Sequence, residues 1–179
     1  GSNTIKALER DNSKKFQLLA INADRWRKEH IMDLPEKYVW VNLPSYKLKI
    51  IEKDTLRLEK NVVIGKSNLK NETPILESAI NQIVLWPTWS VPQSIVKHEM
   101  KSFKGYVVTK KGNWTSVVQP PGPRNALGVV KILFPNKYSV YIHDTPSKST
   151  FGADFRAASH GWVRCPDPLE VAVSLRMRD

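Results

Sequence analysis

A succession of short β-type segments after residue 37 is the feature that most constrains the fold. Tyr38 to Leu43 is an apolar run that ends at the turn signal Pro44-Ser45. Tyr46 to Ile50 then alternates apolar with cationic side chains, which is typical of a half-buried strand. Further strand candidates are 56–59, 61–64, 80–85, 105–109, 115–118, 129–134 and 138–142. Many short strands separated by Pro, Gly and Asn predict a mainly β fold, either a sandwich or a barrel-like domain.

Helical patterns flank this β region on both sides. Residues 3–33 repeat apolar side chains at three- and four-residue spacing, with Ser13 as a candidate N-terminal cap. We expect a short helix at 94–100 and another from Pro168 to Leu175. Gly1-Ser2 has the character of a cloning remnant. The predicted organisation is therefore 1–2 as a remnant, 3–37 as a helical segment and 38–179 as one domain.

The charge and the apolar content limit the classes of partner. The net charge of +11 comes from Lys and Arg residues scattered along the chain, and it would attract any polyanion. With Trp86, Trp89 and Trp114 it leaves a nucleic-acid-binding β domain as one alternative, although no RNP- or KH-like signature is present. No apolar run approaches the roughly 20 residues that span a bilayer, so we expect no membrane insertion of this segment.

One cysteine and few histidines limit the chemistry further. Cys165 stands alone, so no internal disulfide can form, and the sequence shows no metal-ligand cluster. His143 follows the apolar segment Tyr138 to Ile142, and a strand-end histidine can project into a cleft and titrate near neutral pH. Asp144 could orient its ring, although strand neighbours point to opposite faces. Tyr141 shares the face of His143 and either lines the cleft or is a buried core residue.

A second cluster begins fifteen residues after His143, with Ser159-His160-Gly161-Trp162-Val163-Arg164-Cys165. Gly161 permits a close backbone approach, and Arg164 could hold a carboxylate through two parallel hydrogen bonds. The segment Gln119 to Gly128 is rich in Pro and Gly, and we favour its interpretation as a structural turn.

Together these motifs resemble the catalytic domain of YkuD-type L,D-transpeptidases. Their signature is a His, some fifteen residues, Ser/Thr-His-Gly-Cys and then an Asn or Arg two positions later. His143, Ser159-His160-Gly161 and Arg164 match it. The similarity extends in order over most of 38–175 and is closest to the larger periplasmic (YcbB-like) members, through 41–44, 72–74, 89–92, 119–128 and 143–148. Those relatives are longer between 100 and 119 and after 175.

The resemblance implies a peptidoglycan cross-linking reaction in the bacterial periplasm or cell envelope, with a part in cell-wall biosynthesis and cell shape. In the family, a cysteine attacks a tetrapeptide stem and expels its terminal D-alanine. An amine of a second stem then resolves the thioester. The resemblance implies no metal and no organic cofactor. Since the family explains Trp89, we expect peptidoglycan stems as partners and no nucleic acid.

The resemblance also implies a role for each matching residue. His143 would be the general base, and Ser159 would orient that base or the loop. Backbone N–H groups of His160, Gly161 and position 162 would form the oxyanion hole. Arg164 would hold the loop or a stem carboxylate, and Tyr141 would line the substrate cleft.

Trp162 occupies the position at which the family carries its nucleophilic cysteine. An indole cannot attack an amide carbonyl as a thiolate does. Cys165 lies three residues further on, and this odd offset in an extended segment turns it to the opposite face, against its being a relocated nucleophile. We therefore expect an inactive or impaired domain, to which carbapenem inhibitors would bind covalently only with a cysteine at 162. The alternative is an inactive homologue that binds peptidoglycan stems or a partner protein.

Overall fold

A computed structural model describes residues 11–28, 34–68, 71–112 and 114–175. The chain divides into two compact units, Gly1–Tyr38 and Val39–Asp179.

The first unit contains helix α1, Asn12–Lys28, in which no residue is buried. Asp11 precedes the helix, and its carboxylate accepts a hydrogen bond from the N–H of Ser13 at 3.3 Å. The capping role predicted for Ser13 therefore belongs to Asp11, because the helix begins one residue earlier than the sequence pattern suggests. The predicted helix ends at 3 and 33 lie outside the described residues.

The second unit is built mainly from strands. In chain order they are β1 (Lys37–Asn42), β2 (Lys47–Glu52), β3 (Thr55–Asn61), β4 (Ile64–Gly65), β5 (Gln82–Leu85), β6 (Trp89–Ser90), β7 (Val107–Lys111), β8 (Trp114–Gln119), β9 (Val130–Leu133), β10 (Ile142–His143), β11 (Ala157–Ser159) and β12 (Val163–Arg164). They form sheets of order β1-β2-β3, β12-β10-β9-β5, β11-β4 and β6-β8-β7. Two short helices, α2 (Gln93–His98) and α3 (Pro168–Leu175), and a 3₁₀ turn at Lys148–Gly152 complete it.

The predicted mainly β fold, with one helix before it and one after the second motif, is confirmed by this architecture. Two strand predictions are wrong in extent. Of 61–64 only Ile64 begins a new strand, and of 138–142 only Ile142 is paired. The Asn136 side chain causes the second difference, because it bonds the carbonyls of Phe134 and Val140 and the N–H of Val140, which ties this stretch into a turn. Two segments predicted as loops contribute the short strands β11 and β12.

Two hydrophobic clusters support these sheets. The larger one lies among β2, the β9–β10–β12 strands and α3, and its fully buried members include Ile50, Ile132 and Val171. Burying a side chain of this size contributes about 1.5–3 kcal/mol. The smaller cluster is centred on Val117, and Trp162 packs against it. Position 162 therefore lies beside the smaller cluster.

The turn at 119–128 is organised by Asn125, which is buried. Its amide donates to the carbonyls of Pro87 and Pro120, at 3.1 and 2.8 Å, and its oxygen accepts the N–H of Leu127. These bonds satisfy a buried polar side chain and close the turn. The segment is thus structural, as we favoured from the sequence. Within the described part of the chain, the structure contains no helix long and apolar enough to cross a membrane.

Candidate functional site

Strand β10 places His143 in the interior of its sheet. His143 is paired with Arg164 of the parallel neighbour β12 and with Lys131 of the antiparallel neighbour β9. Residues directly opposite each other in a sheet project from the same face. The three side chains therefore form a row, with the imidazole between an arginine and a lysine.

The His143 ring is buried, with 3% of the residue exposed. Its Nδ1 donates a hydrogen bond to the backbone carbonyl of Asp144, which fixes the proton on Nδ1. Nε2 is then an acceptor, and it is buried without a hydrogen-bond partner among the described residues. Burial lowers the pKa of His143 to about 3, and the charges of Arg164 and Lys131 act in the same direction. The ring is consequently neutral at neutral pH, as a general base must be.

The Asp144 carboxylate does not orient this ring, contrary to one possibility raised from the sequence. Its Oδ2 accepts the N–H of Val129 at 3.0 Å, and its Oδ1 accepts the N–H of Thr145 at 2.7 Å and the ammonium of Lys148. The side chain instead anchors the segment after β10. The backbone carbonyl, held in place by this anchor, is the group that bonds His143.

Ser159 holds the second motif together and forms no hydrogen bond with the His143 ring. Its hydroxyl donates to the carbonyl of Trp162 at 2.6 Å and accepts the N–H of Gly161 at 3.1 Å. Of the two roles expected for Ser159, the structure shows the orientation of the loop. The N–H of Gly161 is engaged in this bond, so in this conformation it is not a free oxyanion donor.

Thr73 supports the same loop from the other side. Its hydroxyl donates to the carbonyl of Gly161 at 2.9 Å and accepts the N–H of Gly65 at 2.8 Å. Gly161 has φ +107°, a conformation that L side chains rarely adopt. A side chain at this position would therefore strain the loop at the point where Thr73 fastens it.

Trp162 stands in front of His143. Its ring stacks on Tyr141 with centroids 5.4 Å apart and meets the imidazole edge-to-face at 6.4 Å. Its indole N–H donates to the carbonyl of Ser139 at 3.1 Å. Tyr141 also contacts the His143 ring, with centroids 5.6 Å apart, and burial raises its pKa. The structure thus brings Tyr141, His143 and Trp162 together.

Two candidate residues are directed away from this group. Cys165 is fully buried in the larger cluster, and burial raises the pKa of its thiol to about 12. His160 turns to Glu99, and its Nε2 lies 2.8 Å from the carboxylate. Neither side chain reaches the space between His143 and Trp162.

An open cavity of about 940 Å³ borders the indole ring. Three stretches and a proline contribute most of its wall: Glu72 to Ile75, Tyr138 to Val140, His160 to Trp162, and Pro92. The cavity is large enough for a short peptide segment. Among the described residues, no group of three or more His, Cys, Asp and Glu side chains is placed to hold a metal ion.

The sequence analysis assigned no role to Lys131, Thr73, Ser139 or Glu99. A signal existed for Lys131, because it is the one cation within the apolar strand candidate 129–134. The contacts of the other three depend on loops that meet only in the fold.

Comparisons with known proteins agree with these motifs. A family model described as "YkuD: L,D-transpeptidase catalytic domain" matches residues 36–179. A Haemophilus influenzae protein named "Putative L,D-transpeptidase" is 30% identical over 176 residues, covering 83% of this chain. The match covers 35% of that protein, so the chain spans about a third of its length.

Two solved structures show a more distant likeness. The avibactam carbamoyl form of the enzyme Ldtfm is 16% identical with a TM-score of 0.45, over 81% of this chain and 47% of that chain. A mutant of the Enterococcus faecium L,D-transpeptidase is 17% identical with the same TM-score, over 81% and 48%.

Proposed function

Because the chain belongs to the YkuD L,D-transpeptidase family, we propose that it is a peptidoglycan-stem-binding acyltransferase domain that lacks its nucleophile at Trp162. The observation that carries this proposal is the neutral, buried His143, whose unpartnered Nε2 lies behind the indole ring. A base is in place, and the residue in front of it has no acidic proton to give.

A cysteine at position 162 would complete the chemistry. His143 Nε2 would take the thiol proton, and the thiolate would attack the carbonyl that precedes the terminal D-alanine of a tetrapeptide stem. The C–N bond would break, and the proton held by His143 would pass to the amine of the departing D-alanine. The amine of a second stem would then attack the thioester, form the cross-link and return the thiol.

No other described residue supplies a nucleophile here. The Cys165 thiol is buried in the larger cluster, and its pKa of about 12 keeps it protonated at neutral pH. We therefore propose that the domain as written forms no thioester.

One observation favours the second candidate, an inactive homologue that binds stems or a partner protein. The Trp162 ring is fully accommodated, since it stacks on Tyr141 and its N–H is bonded to Ser139. The cavity beside the ring stays open. In this function the indole is a wall of a binding site.

We further propose a setting for the domain. The motifs around residues 72–74 and 143–148 support the larger periplasmic (YcbB-like) members as its nearest kin, and hence the periplasm or cell envelope as its location, with a part in cell-wall biosynthesis and cell shape. The net charge of +11 suits an anionic cell wall. Carbapenems would acylate the domain only with a cysteine at 162.

A single substitution tests the first proposal. Trp162→Cys, incubated with a tetrapeptide stem, is expected to release D-alanine and to gain the mass of the acyl group. Trp162→Ser is the matched control, because it opens the same space without a thiol and should release none. Release of D-alanine by the unaltered chain would refute the claim that it lacks a nucleophile. No release by Trp162→Cys would refute the claim that the rest of the site is intact.

A further inference from the structure

Lys131 and Arg164 are two half-buried cations that flank His143 on the same face of the sheet. Within the described residues, neither forms an ion pair with a carboxylate, although most other half-buried cations of this unit do, such as Lys60 with Glu170. Burying cations without a counter-charge is costly, and burial lowers the pKa of both. Such a pair is therefore best explained by a negative charge that arrives with a ligand.

The position of the lysine ammonium narrows the place of that ligand. Lys131 Nζ lies 4.1 Å from the centroid of the Tyr141 ring, and Tyr141 stacks on Trp162. The ammonium is thus directed along the aromatic group toward position 162. Two strand spacings, about 10 Å, separate the Cα atoms of Lys131 and Arg164, which two long side chains can bridge with one carboxylate.

We propose that Lys131, together with Arg164, binds the terminal carboxylate of the peptide stem and so sets the scissile amide against His143. This inference rests on the proposed function. In a tetrapeptide stem, one Cα atom separates the scissile nitrogen from the terminal carboxylate. A base at His143 therefore requires its carboxylate site on an adjacent strand, and β9 and β12 are those strands. Lys131 is then a specificity-determining residue for stems with a free terminus.

The competing explanation is that the two cations only hold His143 neutral. In that case they need no ligand, and stem affinity would not depend on the terminal carboxylate. A comparison of two ligands that differ only at this group separates the two explanations.

Calorimetric titration of the unaltered chain with a tetrapeptide stem, as the free acid and as the C-terminal amide, provides the test. We expect the acid to bind at least about tenfold more tightly than the amide, equivalent to about 1.4 kcal/mol. Lys131→Met should remove most of this preference, and Lys131→Arg should retain it. Lys110→Met is the matched control, because Lys110 is exposed on β7, and it should leave the preference unchanged.

Each other outcome has a definite meaning. Equal affinity for acid and amide in the unaltered chain would overturn this inference and leave stem binding intact. An undiminished preference in folded Lys131→Met, checked by its thermal transition, would overturn the role of Lys131, as would an equal loss of acid and amide binding. Binding of neither peptide would overturn the proposed function and this inference together.

Discussion

Substitution of Asp144 by asparagine should destabilise the protein far more than one changed atom suggests. The carboxylate is 5% exposed and accepts three hydrogen bonds, from the N–H groups of Val129 and Thr145 and from the ammonium of Lys148. Both oxygens are used, and all three partners are donors. An asparagine amide must therefore turn its NH₂ group toward a donor in either orientation.

The magnitude follows from the cheaper orientation. Pointing the NH₂ group at Val129 loses one hydrogen bond to a charged group, about 1.5–3 kcal/mol, and removes the charge opposite Lys148. We expect Asp144→Asn to lower the free energy of unfolding by about 2–4 kcal/mol, a large share of the 5–15 kcal/mol typical of a domain.

Urea unfolding at pH 7, followed by tryptophan fluorescence, measures this loss. Asp154→Asn is the matched control, because Asp154 is exposed, and it should change the free energy by less than about 0.5 kcal/mol. A loss below about 1 kcal/mol for Asp144→Asn would refute the reasoning that this carboxylate anchors the segment after β10.

The remaining predictions concern the same site. Gly128 has φ +59° and its added Cβ would lie 2.3 Å from a carboxyl carbon, so Gly128→Ala should cost about 2–4 kcal/mol in urea unfolding. Ser159→Ala leaves an N–H and a carbonyl of the second motif unpaired and should cost about 1–3 kcal/mol by the same measurement. His143 should keep constant ring NMR shifts from pH 8 to 5, because its pKa is about 3. Cys165 should resist a thiol reagent at pH 8 until urea is added, since burial raises its pKa to about 12.

His143 also makes stability depend on pH. Its unfolded pKa is near 6.5 and its folded pKa is about 3, so between these values the unfolded chain binds a proton that the folded chain does not. The stabilisation is complete above pH 6.5 and is lost as pH falls toward 3, by up to about 1.4 kcal/mol per pH unit. Replacing His143 with Gln should remove this slope, and an unchanged slope would contradict the assignment.

Much of the fold follows from local sequence patterns. The apolar–cationic alternation of Tyr46 to Ile50 and the boundaries of Pro168 to Leu175 are confirmed, because each element buries one face or stripe against the same core. The early end of the pattern at 138–142 was not predictable, since it depends on how Asn136 bonds its own turn. The family suggested by the motifs is confirmed by the family model, while the subtype stays a prediction.

The site was predictable in its members but not in its contacts. The spacing between His143 and Ser159 identified both motifs, yet only the fold shows which nitrogen of His143 is free and that Ser159 bonds its own loop. The row with Lys131 and Arg164 depends on strand register between segments far apart in sequence. Such register has no signal in a single segment.

Intact-protein mass after incubation with a carbapenem tests most directly whether this site lacks only its nucleophile. We predict no added mass on the unaltered chain, and one carbapenem adduct on Trp162→Cys that maps to position 162. An adduct on the unaltered chain at Cys165 would contradict the proposal, because the buried thiol would then be the nucleophile. An unmodified Trp162→Cys variant that remains folded would contradict it equally, because the base and the loop would not form a competent site.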